Sequence, residues 1–182
     1  MKTNDLNLTE QEYELLARIH ATKGSMDEKA QQLKDDGVFD SYREIHKGYA
    51  SLAIAGDIES LKRSIFIQWY RVSEPSCFTG IQELDQDIEE AVLLIVENLI
   101  FNGHADEELK WMIAWYYQIS GYYFDLVWTN SSVSQILTQF NQNRNYLVDR
   151  FPLGESLKNR GQMGKYWMSI ISKMQTLDSK QT

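Results

Sequence analysis

The chain has 182 residues, of which 43% are hydrophobic and 24% charged, with a formal net charge of −8. This is ordinary usage for one folded domain, enough to bury a sizeable core without disulfide or metal staples, and it suggests neither a disordered nor a membrane-embedded class. The single cysteine, Cys77, has no intrachain disulfide partner, the N-terminus lacks the apolar stretch of a secretory signal, and the aliphatic run of residues 91–96 falls far short of a membrane span; a reducing, cytoplasmic setting is expected.

The first helix is expected to start at Thr9, because Thr9-Glu10-Gln11-Glu12 matches a capping box in which hydroxyl and carboxylate satisfy exposed backbone donors reciprocally. Residues 1–8 before it are expected to fray. Tyr13, Leu16 and Ala17 share a face, and Gly24 can end the helix in the left-handed conformation. Ser25-Met26-Asp27-Glu28 is a second capping box, opening a short helix with a thin apolar face of Met26, Ala30 and Leu33 that ends near Gly37. Asp40 is the expected cap of a third helix, with Tyr42, Ile45, Tyr49, Leu52 and Ala53 at helical spacing up to Gly56. Asp57 caps the fourth, whose stripe is Leu61, Ile65, Trp69 and Val72, and Pro75 stops it.

Residues 74–80 read as a loop, holding Cys77 and Phe78 as apolar anchors. Beyond it Glu83, Asp85, Asp87, Glu89 and Glu90 crowd the first turns of a helix, where carboxylates favour the positive end of the dipole. Nine of the eleven residues from Ala91 to Phe101 are apolar, on every side of the helix, so 88–101 is expected to be the buried centre of the fold. Asp106-Glu107-Glu108 opens the next helix, with Trp111, Trp115, Ile119, Tyr122 and Leu126 at helical intervals; Gly121 and the Tyr122-Tyr123-Phe124 run also suit a strand, but helix is preferred. A further segment from Ser131 or Ser132 runs through Val133, Ile136, Leu137, Phe140 and Leu147 to Pro152. The last spans about 155–177, interrupted by Gly161 and Gly164, with Tyr166, Trp167, Ile170, Ile171 and Met174 on its apolar face and a frayed tail over 178–182.

These elements predict one all-α domain over 1–182, an irregular bundle of about eight helices, with a short stack of helical hairpins as the alternative. A short echo favours stacking: Glu59-Ser60-Leu61-Lys62, then Ile65 and Trp69, returns 48 residues later as Glu107-Glu108-Leu109-Lys110, then Ile113 and Tyr117. Any capped amphipathic helix generates the same pattern, so the bundle is placed first.

The sequence holds no catalytic signature. His20, His46 and His104 lie in separate segments without metal-ligand spacing, so neither metal nor cofactor is expected. Gly161-Gln162-Met163-Gly164-Lys165 lacks the spacing and the Ser/Thr of a phosphate loop and reads as a helix break that can make a small anion-binding corner. Charge is uneven along the chain. Residues 131–182 hold seven Lys/Arg against three acids, a net of +4, leaving 11 against 23 in residues 1–130, a net of −12. Such acidity repels phosphate backbones and disfavours nucleic acid.

Two functional readings follow. The first is a non-catalytic protein-interaction module, an acidic binder of a basic partner, with Asp85, Asp87, Glu89 and Glu90 as the densest acidic cluster. The second is a small-molecule-binding protein or enzyme with an aromatic pocket between helices, built from Trp69, Trp111 and Trp115, with Arg71, Glu74 and Arg160 as orienting groups.

Overall fold

The computed structural model describes residues 3–125 and 154–178. Among the described residues the regular structure is all helical. The helices are α1 (Thr3–Ala21), α2 (Met26–Asp35), α3 (Val38–Ile54), α4 (Ile58–Ser73), α5 (Ser76–Thr79), α6 (Gln86–Phe101), α7 (Glu107–Asp125) and α8 (Gly161–Asp178), with a 3-10 turn at Gly154–Leu157. The expected helix between Ser131 and Pro152 and the tail beyond 178 lie outside the described residues. No described helix is long and apolar enough to cross a membrane.

Local signals placed several boundaries correctly. The Ser25 hydroxyl accepts from Glu28 N and the Glu28 carboxylate accepts from Ser25 N, a complete capping box that also holds the Glu28 carboxyl below its usual range. Asp57 Oδ1 accepts from Ser60 N at 2.9 Å, and Asp106 Oδ1 from Leu109 N at 2.7 Å. Replacing Asp57 with Ala should cost about 1 kcal/mol of stability in urea unfolding, the typical worth of such a cap; an unchanged midpoint would show that the α3–α4 turn is held by its tertiary contacts alone.

Elsewhere the structure corrects the sequence. α1 starts at Thr3, six residues before the expected start at Thr9, and Leu8 packs against the core. Thr9 is not the N-cap, because it lies buried inside α1, where its hydroxyl receives a hydrogen bond from Arg63 Nη1. Asp40 lies in the first turn of α3, whose N-cap is Gly37, and pairs with Arg43. The supposed loop at 74–80 contains the single turn α5, set between Pro75 and a left-handed Gly80; Cys77 is buried, while Phe78 faces outward under Lys29. In α7 the helical path breaks at Ser120, beside Gly121, and Ile119 and Tyr122 turn outward.

The largest correction concerns the core. α4, not α6, is the central element: every residue from Ser60 to Trp69 is buried, and α4 packs on α3, α5, α6, α7 and α8. α6 lies against α3 and α4 through Val92, Leu93, Val96 and Ile100, but Leu94 is 50% and Phe101 63% exposed. Apolarity ranked α6 above α4 because Lys62, Arg63, Ser64 and Gln68 interrupt the apolar stripe of α4. That side of α4 is instead buried, with Lys62, Arg63 and Gln68 bonded to residues of other elements. A buried charge is tolerated when it is paired and hydrogen-bonded, and these are.

Candidate functional site

The polar side of α4 nucleates an ionic network. Arg63, 2% exposed, donates to Thr9 Oγ1 on α1, to Tyr49 OH on α3 at 2.9 Å, to Glu59 Oε1 at 2.9 Å and to Asn159 O at 3.0 Å. Glu59 in turn accepts a two-point contact from Arg160, through Nε at 2.8 Å and Nη2 at 2.5 Å. The same guanidinium binds Glu108 on α7, which also accepts from Lys62 Nζ; Lys62 further donates to Asp106 Oδ2 at 2.7 Å. Planar guanidinium groups suit such forked recognition of carboxylates. Burial by itself would raise the Glu108 carboxyl, but Arg160 and Lys62 outweigh it and hold it below the usual range.

Glu12 extends the network to the start of α8. Its Oε2 accepts from Tyr49 OH at 2.7 Å and its Oε1 from Gln162 N at 3.1 Å, so a carboxylate of α1 occupies the donor-rich N-terminus of α8. Gly161 has φ +58, and a Cβ there would sit 2.0 Å from Glu12 Oε2, so both the turn and the close approach require glycine. The anion-binding corner anticipated at Gly161-Gln162-Met163-Gly164 is thus filled by the protein's own Glu12.

A second polar cluster lies between α3, α4, α6 and α7. Gln68 Nε2 is 3.0 Å from His46 Nε2, which places the imidazole proton on Nδ1 if the amide donates. Tyr123 OH donates to Glu89 Oε1 at 3.0 Å, with Gln68 Oε1 at 3.3 Å as an alternative acceptor, and Arg71 Nη2 donates to the same Glu89 oxygen at 2.6 Å. Burial pushes the His46 pKa down to about 4, opposed by Asp85 and reinforced by Arg71. Burial and then Glu89 push the Tyr123 phenol well up. Both rings are held neutral near pH 7.

The aromatic residues form a third cluster, packed on one another. Trp69 stacks on Tyr116 with centroids 4.3 Å apart, Tyr116 on Trp167, and Trp167 lies against Trp111 at 4.2 Å. Trp115 Nε1 donates to Tyr166 OH at 2.8 Å. Burial pushes the Tyr70 and Tyr166 phenols up to about 12.

Of the residues suggested for a pocket, Trp69 and Trp111 are therefore core, each 1% exposed, and Trp115 is half-buried at the edge of the stack. Arg160 is saturated by Glu59 and Glu108, Arg71 points to Glu89, and Glu74 is exposed at the C-cap of α4. The structure gathers the tryptophans but gives Arg71 and Arg160 separate carboxylate partners. A surface groove of about 280 Å³ between α1 and α3 is lined by Asn7, Leu8, Gly48, Ser51 and Leu52, none of them ionisable.

The acidic cluster also divides. Asp85 pairs with Lys47 at 2.9 Å, and Glu89 is turned inward to Arg71 and Tyr123, so Glu89 is corrected from a surface group to an interior one. Asp87 and Glu90 face outward. One step along a helix is about 100°, which sends Glu89 and Glu90 to different sides. Sequence reasoning missed Glu97, Leu94 and Phe101 on the outward side, and it missed Glu12, Glu59, Arg63 and Glu108 in the network. The six-apolar run around Leu94 concealed the two faces of α6. Among the described residues no group of His, Cys, Asp and Glu could hold a metal ion. No family model matches the chain, and neither a curated protein nor a solved structure is found to be similar to it.

Proposed function

We propose that the protein is a non-catalytic helical interaction module whose acidic surface binds a basic protein partner. The observation that carries this reading is the disposition of its charges. The Lys and Arg side chains gathered inside are committed to carboxylates, Arg63 and Arg160 to Glu59, Lys62 and Arg160 to Glu108, and Arg71 to Glu89. Asp87, Glu90 and Glu97 stand toward solvent on α6, a helix without a single Lys, Arg or His, and have no ion-pair partner among the described residues. Chemistry needs a polar group left available to a substrate, whereas steering a partner needs uncompensated surface charge.

Affinity capture from the native cell, with the bound protein identified by mass spectrometry, tests the reading. It expects a partner with a basic patch whose capture weakens as salt is raised to physiological strength, where exposed charges are screened beyond about 8 Å. A partner as acidic as this chain would overturn it.

A further inference from the structure

α6 carries more apolar surface than the bundle uses. Its inward stripe of Val92, Leu93, Val96 and Ile100 is consumed by α3 and α4. On the other side stand Leu94, 50% exposed, and Phe101, 63% exposed. Single exposed apolar residues are common, but here two large ones are aligned on one face of the same helix. Asp87, Glu90, Glu97 and Asn98 fall on the same side, at the steps of three and four that keep residues on one face. Asp87 and Glu90 are exposed and Glu97 partly so. The result is an apolar strip edged with unpaired carboxylates.

Leu94 and Phe101 are seven residues apart, two helical turns, which is about 10 Å along the axis. That is the interval at which an amphipathic helix repeats its own anchors. We infer that the outward face of α6 docks a basic amphipathic helix of a partner protein: Leu94 and Phe101 meet its apolar stripe, and Asp87, Glu90 and Glu97 pair with the Lys or Arg that flank it. This rests on the acidic-binder reading and narrows it to one helix and one shape of partner.

The test uses a synthetic helical peptide of Leu and Lys, roughly five turns long, with its apolar residues at i, i+3, i+4 and i+7 and a photo-crosslinking group; the same peptide with Glu in place of Lys is the control. The Lys peptide should crosslink to α6 and bind at least about tenfold more tightly than the Glu peptide. The Leu94→Ala/Phe101→Ala double variant should lose about tenfold in affinity, the scale expected for interface anchors, with an unchanged thermal melt because both side chains are solvent-facing. Glu90→Gln/Glu97→Gln should flatten the salt dependence of binding. Undiminished binding of the Lys peptide by the double variant, with crosslinks elsewhere, overturns the α6 docking face and leaves the acidic-binder reading standing. Binding of neither peptide, or preference for the Glu peptide, overturns both.

Discussion

Replacing Arg63 with Met is expected to lower the free energy of unfolding by about 3–5 kcal/mol, the usual cost of removing one partner from a buried ionic pair. The side chain is 2% exposed, and its guanidinium joins α1 through Thr9, α3 through Tyr49, and the approach to α8 through the carbonyl of Asn159. A Met chain fills the space of the aliphatic stem but leaves the Thr9 and Tyr49 hydroxyls and part of the Glu59 carboxylate without their donor. The loss therefore comes from missing hydrogen bonds at buried polar groups more than from lost packing. Arg63→Lys keeps the charge but cannot fork to four acceptors, and should fall between Met and the native protein. Urea unfolding followed by circular dichroism measures all three. A loss of less than about 1 kcal/mol for Arg63→Met, the scale of an exposed pair, would mean that the network does not hold these helices together.

Between pH 6.5 and 4, His46 is expected to remove about 3 kcal/mol of stability, at 1.36 kcal/mol per pKa unit. The direction follows from burial, which holds the folded imidazole at about 4, below the 6.5 of the unfolded chain. In that window the unfolded state binds a proton that the folded state refuses, so acidification favours unfolding, and above about pH 7 the contribution is flat. The groups around the ring are Gln68 at 3.0 Å, Asp85, which opposes the shift, and Arg71, which adds to it. Glu108, whose carboxyl is also held low by Arg160 and Lys62, loses stability in the same direction as pH falls. The His46→Gln variant separates the two. The stability difference between native protein and variant should change by about 3 kcal/mol across the window and be constant above it. Parallel pH profiles would show that His46 titrates normally.

The boundaries legible in the sequence were those set by local chemistry. Ser25-x-x-Glu28, Asp57 and Asp106 cap helices because each acts within three residues of itself. Thr9-x-x-Glu12 carries the same signature and does something else, since a spacing of three also puts two side chains on one helix face. There both point toward Tyr49 and Arg63. The network was illegible for a related reason: Arg160 meets Glu59 across 101 residues of chain, and Glu108 across 52. Nothing in local periodicity encodes such pairings. Hydropathy likewise exchanged the roles of α4 and α6, since it counts an ion-paired Arg63 as surface and an exposed Phe101 as core.

The proposed steering role of the outward acids of α6 separates a binding surface from a merely solvated helix by its effect on kinetics, and the association rate of the captured partner tests it most directly. Stopped-flow association should slow markedly between low and physiological salt, with dissociation changing less, because long-range attraction governs encounter and packed contacts govern departure. Asp87→Asn/Glu90→Gln/Glu97→Gln should slow association at low salt and flatten its salt dependence while leaving the melt within about 1 kcal/mol of native stability, the scale of the dipole contribution that Asp87 makes near the start of α6. A partner that associates at the same rate at every salt concentration, or equally fast with the neutralised variant, would contradict the account.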